Sequence, residues 1–107
     1  PTWARGLSGA IWATAERPEM RGTYHWTDAG EASWYDFAVA IGEEALAAGL
    51  IGRPASVRPI RTADYPTAAV RPPYSVLDMT STCAALGRSP PHWRVSLHLM
   101  LQELARG

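Results

Sequence analysis

Apolar residues recur at helical spacing in three stretches of the chain, and between them β-branched and aromatic residues gather in short runs bounded by glycine or proline. Leu7, Ala10, Ile11 and Thr14 predict a first helix over residues 3–16. Gly6 and Gly9 weaken it by about 1 kcal/mol each relative to alanine, so packing has to hold the segment. Residues 17–22 read as a break, and Thr23-Tyr24-His25-Trp26-Thr27 as a short strand between Gly22 and Asp28-Ala29-Gly30.

The strongest stripe is Trp34, Phe37, Ala38, Ile41, Ala45 and Ala48, with Asp36, Glu43 and Glu44 outside it. Ser33 is placed to cap this helix, Asp36 falls in its first turn, and Gly49 and Gly52 offer left-handed positions to end it. Residues 56–61 are extended in character, with Pro59 restricting them to an edge or a strand end. Pairing with the strand at 23–27 would complete a right-handed βαβ unit. Residues 62–73 contain Pro66, Pro72 and Pro73 without any period and predict an ordered loop, the kind of segment that often carries function. A brief strand at 74–77 and a short helix from Thr80 to Leu86, ending at Gly87, follow. Ser89 is expected to cap the last helix with Pro90 in its first turn, and Trp93, Leu97, Met100, Leu101 and Leu104 to form its buried face. The expected fold class is therefore α/β, a single domain over residues 1–107 with a few short strands packed by about four helices.

Charge narrows the function. Ten arginines balance ten acidic residues, so no net field draws the chain to nucleic acid or to an anionic membrane, and lysine is absent altogether. Cys83 is the only cysteine, which excludes an internal disulfide and favours a cytoplasmic setting. No basic-then-apolar leader opens the chain and no apolar run is long enough to cross a bilayer. Because the first residue is Pro1 rather than methionine, the chain is expected to be a fragment or a processed product.

Three blocks carry a likeness to a known family. They are Gly22-Thr23-Tyr24-His25-Trp26 with Ser33-Trp34-Tyr35-Asp36-Phe37-Ala38, then Tyr65-Pro66-Thr67 with Arg71-Pro72-Pro73-Tyr74-Ser75-Val76-Leu77-Asp78, and Pro91-His92-Trp93. In order and spacing they resemble the C-terminal third of the dTDP-4-dehydrorhamnose reductases, within the extended short-chain dehydrogenase/reductase group of Rossmann-like folds. Pro1-Thr2 would be the end of that family's Gly-x-Pro-Thr loop. Val70 stands where the family often has a basic residue, which argues against a two-cation grip on the substrate.

The resemblance implies a substrate-binding part whose partners are a dTDP-sugar and an N-terminal Rossmann domain lying outside this chain. That domain would bind NADPH or NADH. Neither a glycine-rich dinucleotide turn nor a Tyr-x-x-x-Lys array occurs here, so no cofactor and no catalytic residue is expected within the chain. A face that such a domain normally covers would promote self-association when bare. Two other readings keep the fold: a non-catalytic regulatory module, as in the similar regulatory subunit of methionine adenosyltransferase, and the lobe of another nucleotide-sugar epimerase or dehydratase.

Arg71 is the first candidate for the substrate, because a guanidinium meets phosphate oxygens through two parallel hydrogen bonds and the resemblance sets such an arginine near the diphosphate. The alternative is an arginine that merely braces the loop. Arg61, with Arg58 behind it, lies on the approach to the same loop, where a solvated surface role competes. Tyr65 and Thr67, spaced by a rigid proline, are candidates for the sugar or base side against a role as loop anchors. Asp78 suits a cap for the helix after it, and Ser75 reads as structural. His25, His92 and His98 lack metal-ligand spacing, Cys83 reads as a buried inert thiol, and the five tryptophans read as core.

Overall fold

The computed structural model describes residues 1–107, which form four α-helices: α1 (Ala4–Ala15), α2 (Trp34–Ala47), α3 (Thr80–Leu86) and α4 (Trp93–Arg106), with a single 3-10 turn at Thr62–Asp64. They associate as two pairs. α2 packs on α4 and α1 on α3, each pair around its own small core. Ala40, Ala45, Trp93, Leu97 and Leu101 form the larger core, with Phe37, Ile51 and Met100 against it, while Ala10, Ala13 and Leu86 form the smaller with Met20 and Trp26. Each large apolar side chain so buried contributes about 1.5–3 kcal/mol. Only 11 of 107 residues are buried, so the stabilisation rests on few side chains.

Caps set the helix limits where the sequence placed them in two cases. The Asp36 backbone N–H donates to Ser33 Oγ at 3.0 Å and the Ser33 N–H to Asp36 Oδ2 at 2.9 Å, a reciprocal capping box. These bonds hold the Asp36 carboxyl below its ordinary range, the Ser33 backbone N–H contributing most. α3 ends on Gly87 in the left-handed region at φ 66°, and Asp78 Oδ1 accepts from the Thr80 N–H at 2.9 Å. The last helix differs. It starts at Trp93 with His92 as its cap, Pro90 and Pro91 lying outside the helix, and the Ala29 carbonyl takes the Trp93 N–H at 2.9 Å.

The βαβ expectation fails in the same way at each run. Residues 23–28, 54–61 and 74–78 form neither helix nor strand, because none has a neighbouring strand to pair with, and a segment without a ladder partner leaves its N–H and C=O groups to water. One isolated parallel contact survives, Ala29 opposite His92, closed by the Ala29 N–H to Pro91 O at 2.8 Å and by the Trp93–Ala29 bond.

The apolar stripes also turn out only partly buried. α1 presents Ala10 and Ala13 inward and leaves Leu7, Ile11 and Trp12 exposed. Ile41 and Leu104 are exposed as well, and Trp34 is 85% exposed, so tryptophan is core at Trp93 but not at Trp12 or Trp34. Small residues let the helices approach closely, and the larger side chains are displaced to the rim.

The two helix pairs meet along a polar seam. Buried Asp28 accepts the Trp3 N–H on Oδ2 at 3.0 Å, which places a carboxylate at the N-terminus of α1, where the helix dipole favours it. Arg5 on α1 also pairs with Glu103 on α4. No helix is long and apolar enough to cross a membrane.

Candidate functional site

Every candidate for the substrate lies on one arm. From Arg58 to Asp78 all side chains are exposed, between the half-buried Val57 and Met79. Met79 is fixed by the Thr27 N–H, 3.0 Å from its sulfur. The arm explains the extended shape: the radius of gyration is 16.5 Å, against about 13 Å for a compact chain of this length.

Within the arm the candidates fare differently. The 3-10 turn folds Asp64 back onto Arg61, whose Nε and Nη2 reach Asp64 Oδ2 and Oδ1 at 3.2 and 3.3 Å while its backbone N–H donates to Oδ2 at 3.0 Å. These bonds hold the Asp64 carboxyl below its ordinary range, the Arg61 side chain contributing most. The Arg61 guanidinium is thus already partnered. Thr67 donates its hydroxyl to Ala69 O at 2.9 Å and keeps its oxygen lone pairs, and Tyr65 is 69% exposed. Arg71 makes no ion pair and no hydrogen bond to the chain, and neither does Arg58.

Tyr74 is a residue the sequence did not single out. Its hydroxyl donates to Glu31 Oε1 at 2.8 Å across 43 positions, and the carboxylate's hydrogen bond pushes the phenol above its ordinary value of 10.0. A catalytic tyrosine acid needs the opposite direction.

A cavity of about 110 Å³ between the helix pairs, walled by Trp3, Asp28, Phe37, Trp93 and Leu97, and a groove of about 210 Å³ between α2 and residues 54–57 lie on the helical body, and neither includes an arm candidate. At the helix N-termini, Asp28 accepts from the start of α1, Asp36 closes the box of α2, and His92 Nδ1 accepts the Arg94 N–H at α4. No group of three or more His, Cys, Asp or Glu residues is arranged to hold a metal.

The family model described as the RmlD substrate binding domain matches residues 1–106. The chain belongs to that family. The RmlD substrate binding domain formed here is 38% identical over 102 residues to a dTDP-4-dehydrorhamnose reductase of Aggregatibacter actinomycetemcomitans, covering 91% of this chain and 35% of that protein. It is 36% identical over 103 residues to the spore coat polysaccharide biosynthesis protein SpsK of Bacillus subtilis, with 96% and 33% covered. A probable dTDP-4,6-dihydroxy-2-methyloxan-3-one 4-ketoreductase of Streptomyces antibioticus is 39% identical over 77 residues, with 72% and 24% covered. The chain thus spans about a third of the length of the first two relatives. No solved structure matches it. The family likeness carried by the Tyr65–Asp78 block holds, and that block coincides with the exposed arm.

Proposed function

We propose that this chain is the sugar-nucleotide lobe of a cytoplasmic dTDP-4-dehydrorhamnose reductase, which reduces dTDP-4-dehydro-L-rhamnose to dTDP-L-rhamnose with NADPH or NADH. A Rossmann domain elsewhere in the protein supplies the cofactor, the hydride and the proton donor. The chain's own share is recognition: Arg71 meets the diphosphate, Thr67 and Tyr65 face the sugar or base, and Arg61 and Arg58 add positive potential along the approach.

The observation that carries this reading is Arg71, an arginine with no partner in the chain, held out on the arm in a family whose matched region is described as substrate binding. A free guanidinium keeps all five donors for a phosphate. The division of labour is supported by the chain spanning about a third of the length of the relatives it resembles, which leaves room for a cofactor domain elsewhere in the protein. The arm then forms one wall of a cleft whose other wall is the cofactor domain, and its exposed Tyr65 and Val70 are covered there. Titrating the intact protein with dTDP-L-rhamnose tests the reading. Arg71→Ala should weaken binding at least tenfold, and unchanged affinity would remove the assignment.

The likeness to the Streptomyces antibioticus ketoreductase favours a second reading, in which the same arm receives a different dTDP-linked 4-keto sugar. Comparing turnover of several dTDP-4-keto sugars by the intact protein separates the two.

A further inference from the structure

Between Val57 and Met79 the arm makes one hydrogen bond to a distant part of the chain, from Tyr74 Oη to Glu31 Oε1 at 2.8 Å. Its other hydrogen bonds are local, Arg61 with Asp64, Tyr65 with Thr62, Thr67 with Ala69 and, at the foot of the arm, Asp78 with Thr80. The two sides of the tie differ in firmness.

Glu31 stands on a fixed base. Residues 29–31 are joined to residues 91–93 by the Ala29 N–H to Pro91 O, the Trp93 N–H to Ala29 O and the Trp93 indole N–H to Glu31 O at 3.3 Å, and Trp93 is itself buried in the larger core. On the arm side Tyr74 lies three residues beyond Arg71, with Pro72 and Pro73 between them. Two consecutive prolines hold φ near its fixed value and form a stiff spacer, so the position of Tyr74 is passed to Arg71 over a span of at most about 10 Å.

We infer that the Tyr74–Glu31 hydrogen bond is a latch that sets the height of Arg71 above the helical body, making both members positioning residues for the sugar-nucleotide diphosphate. This rests on the reading of the arm as the substrate wall. Without the latch the arm is anchored only at its ends, twenty or so residues apart, and the fraction of molecules with Arg71 correctly placed falls, which weakens apparent affinity by the same factor.

The test uses the intact protein, with dTDP-L-rhamnose as probe and hydrogen exchange over residues 58–78 as an independent readout. Tyr74→Phe and Glu31→Ala should each speed exchange in the arm and raise the dissociation constant about fivefold to tenfold, the scale of one lost solvent-exposed hydrogen bond. The double variant should be no weaker than either single one. Glu31→Gln keeps an acceptor for the phenol and should restore both readouts, while helices α1–α4 exchange as before throughout. Unchanged arm exchange in Tyr74→Phe overturns the latch. If Arg71→Ala weakens binding but Tyr74→Phe does not, the latch falls and the substrate-wall reading stands. If neither variant weakens binding, both fall.

Discussion

Gly30 lays its bare backbone against the imidazole of His92, and the pair flank the only β-type contact in the fold. Gly30 has φ +87°, and a Cβ built there would overlap the His92 ring. Gly30→Ala should therefore destabilise the chain by about 2 kcal/mol or more, from backbone strain and from loss of the Ala29–His92 pairing. Chemical denaturation checks this, and a loss below about 0.5 kcal/mol would show that the segment relaxes freely.

Asp28 is only 3% exposed and ties the start of α1 to the seam through the Trp3 N–H. Replacing it with alanine strands that donor and should cost about 1–3 kcal/mol, whereas asparagine, which keeps an acceptor oxygen, should cost less. Amide exchange is the sharper measurement, because Asp28→Ala should release the first turn of α1 before any other helix end. Equal effects of the two substitutions would rule out the hydrogen bond as the cause.

Arg94 on α4 clasps α2 through Glu43 Oε2 at 2.6 Å and Glu44 Oε1 at 3.0 Å, and His98 Nδ1 meets Glu44 Oε2 at 2.7 Å. The His98 hydrogen bond first, and Arg94 second, hold the Glu44 carboxyl below its ordinary value of 4.5. A carboxylate with a depressed folded-state pKa contributes stability that is complete above its unfolded value and disappears as pH falls through the folded one. Glu44→Gln should thus be less stable than the native chain by about 1 kcal/mol at neutral pH, a modest figure because Arg94 and His98 are partly solvated. The difference should close on acidification below 4.5. Thermal unfolding across pH measures it, and a gap that persists in acid would contradict the clasp.

Arg71 bears on binding alone. With its side chain exposed and unpaired, Arg71→Ala should change stability by less than about 0.5 kcal/mol while reducing affinity for dTDP-L-rhamnose. Arg71→Lys should recover part of the affinity, since an ammonium keeps the charge without the paired donors. A large drop in melting temperature would mean that the arginine braces the arm instead.

Much of the local structure was legible in the chain itself. The Ser33/Asp36 box and the end of the third helix at Gly87 depend on residues no more than four apart, and such short-range chemistry works much the same in any surroundings. The Tyr65–Asp78 block was legible for a different reason: its residues announce a family even though they pack against almost nothing here.

The strands read at 23–27, 56–61 and 74–77 do not form here, because a strand is a property of two segments and the sequence describes one at a time. The same limit hid Tyr74's partner Glu31 and the burial of Asp28 against Trp3. Trp34 and Trp12 read as core by residue type, yet nothing within the chain covers them.

The sequence by itself determined where α2 begins, where α3 ends and which family the chain belongs to. Tertiary structure alone decided what the arm is tied to. Helical propensity and capping act over a single turn, whereas the pairing of Tyr74 with Glu31 depends on how the folded backbone brings together positions 43 residues apart.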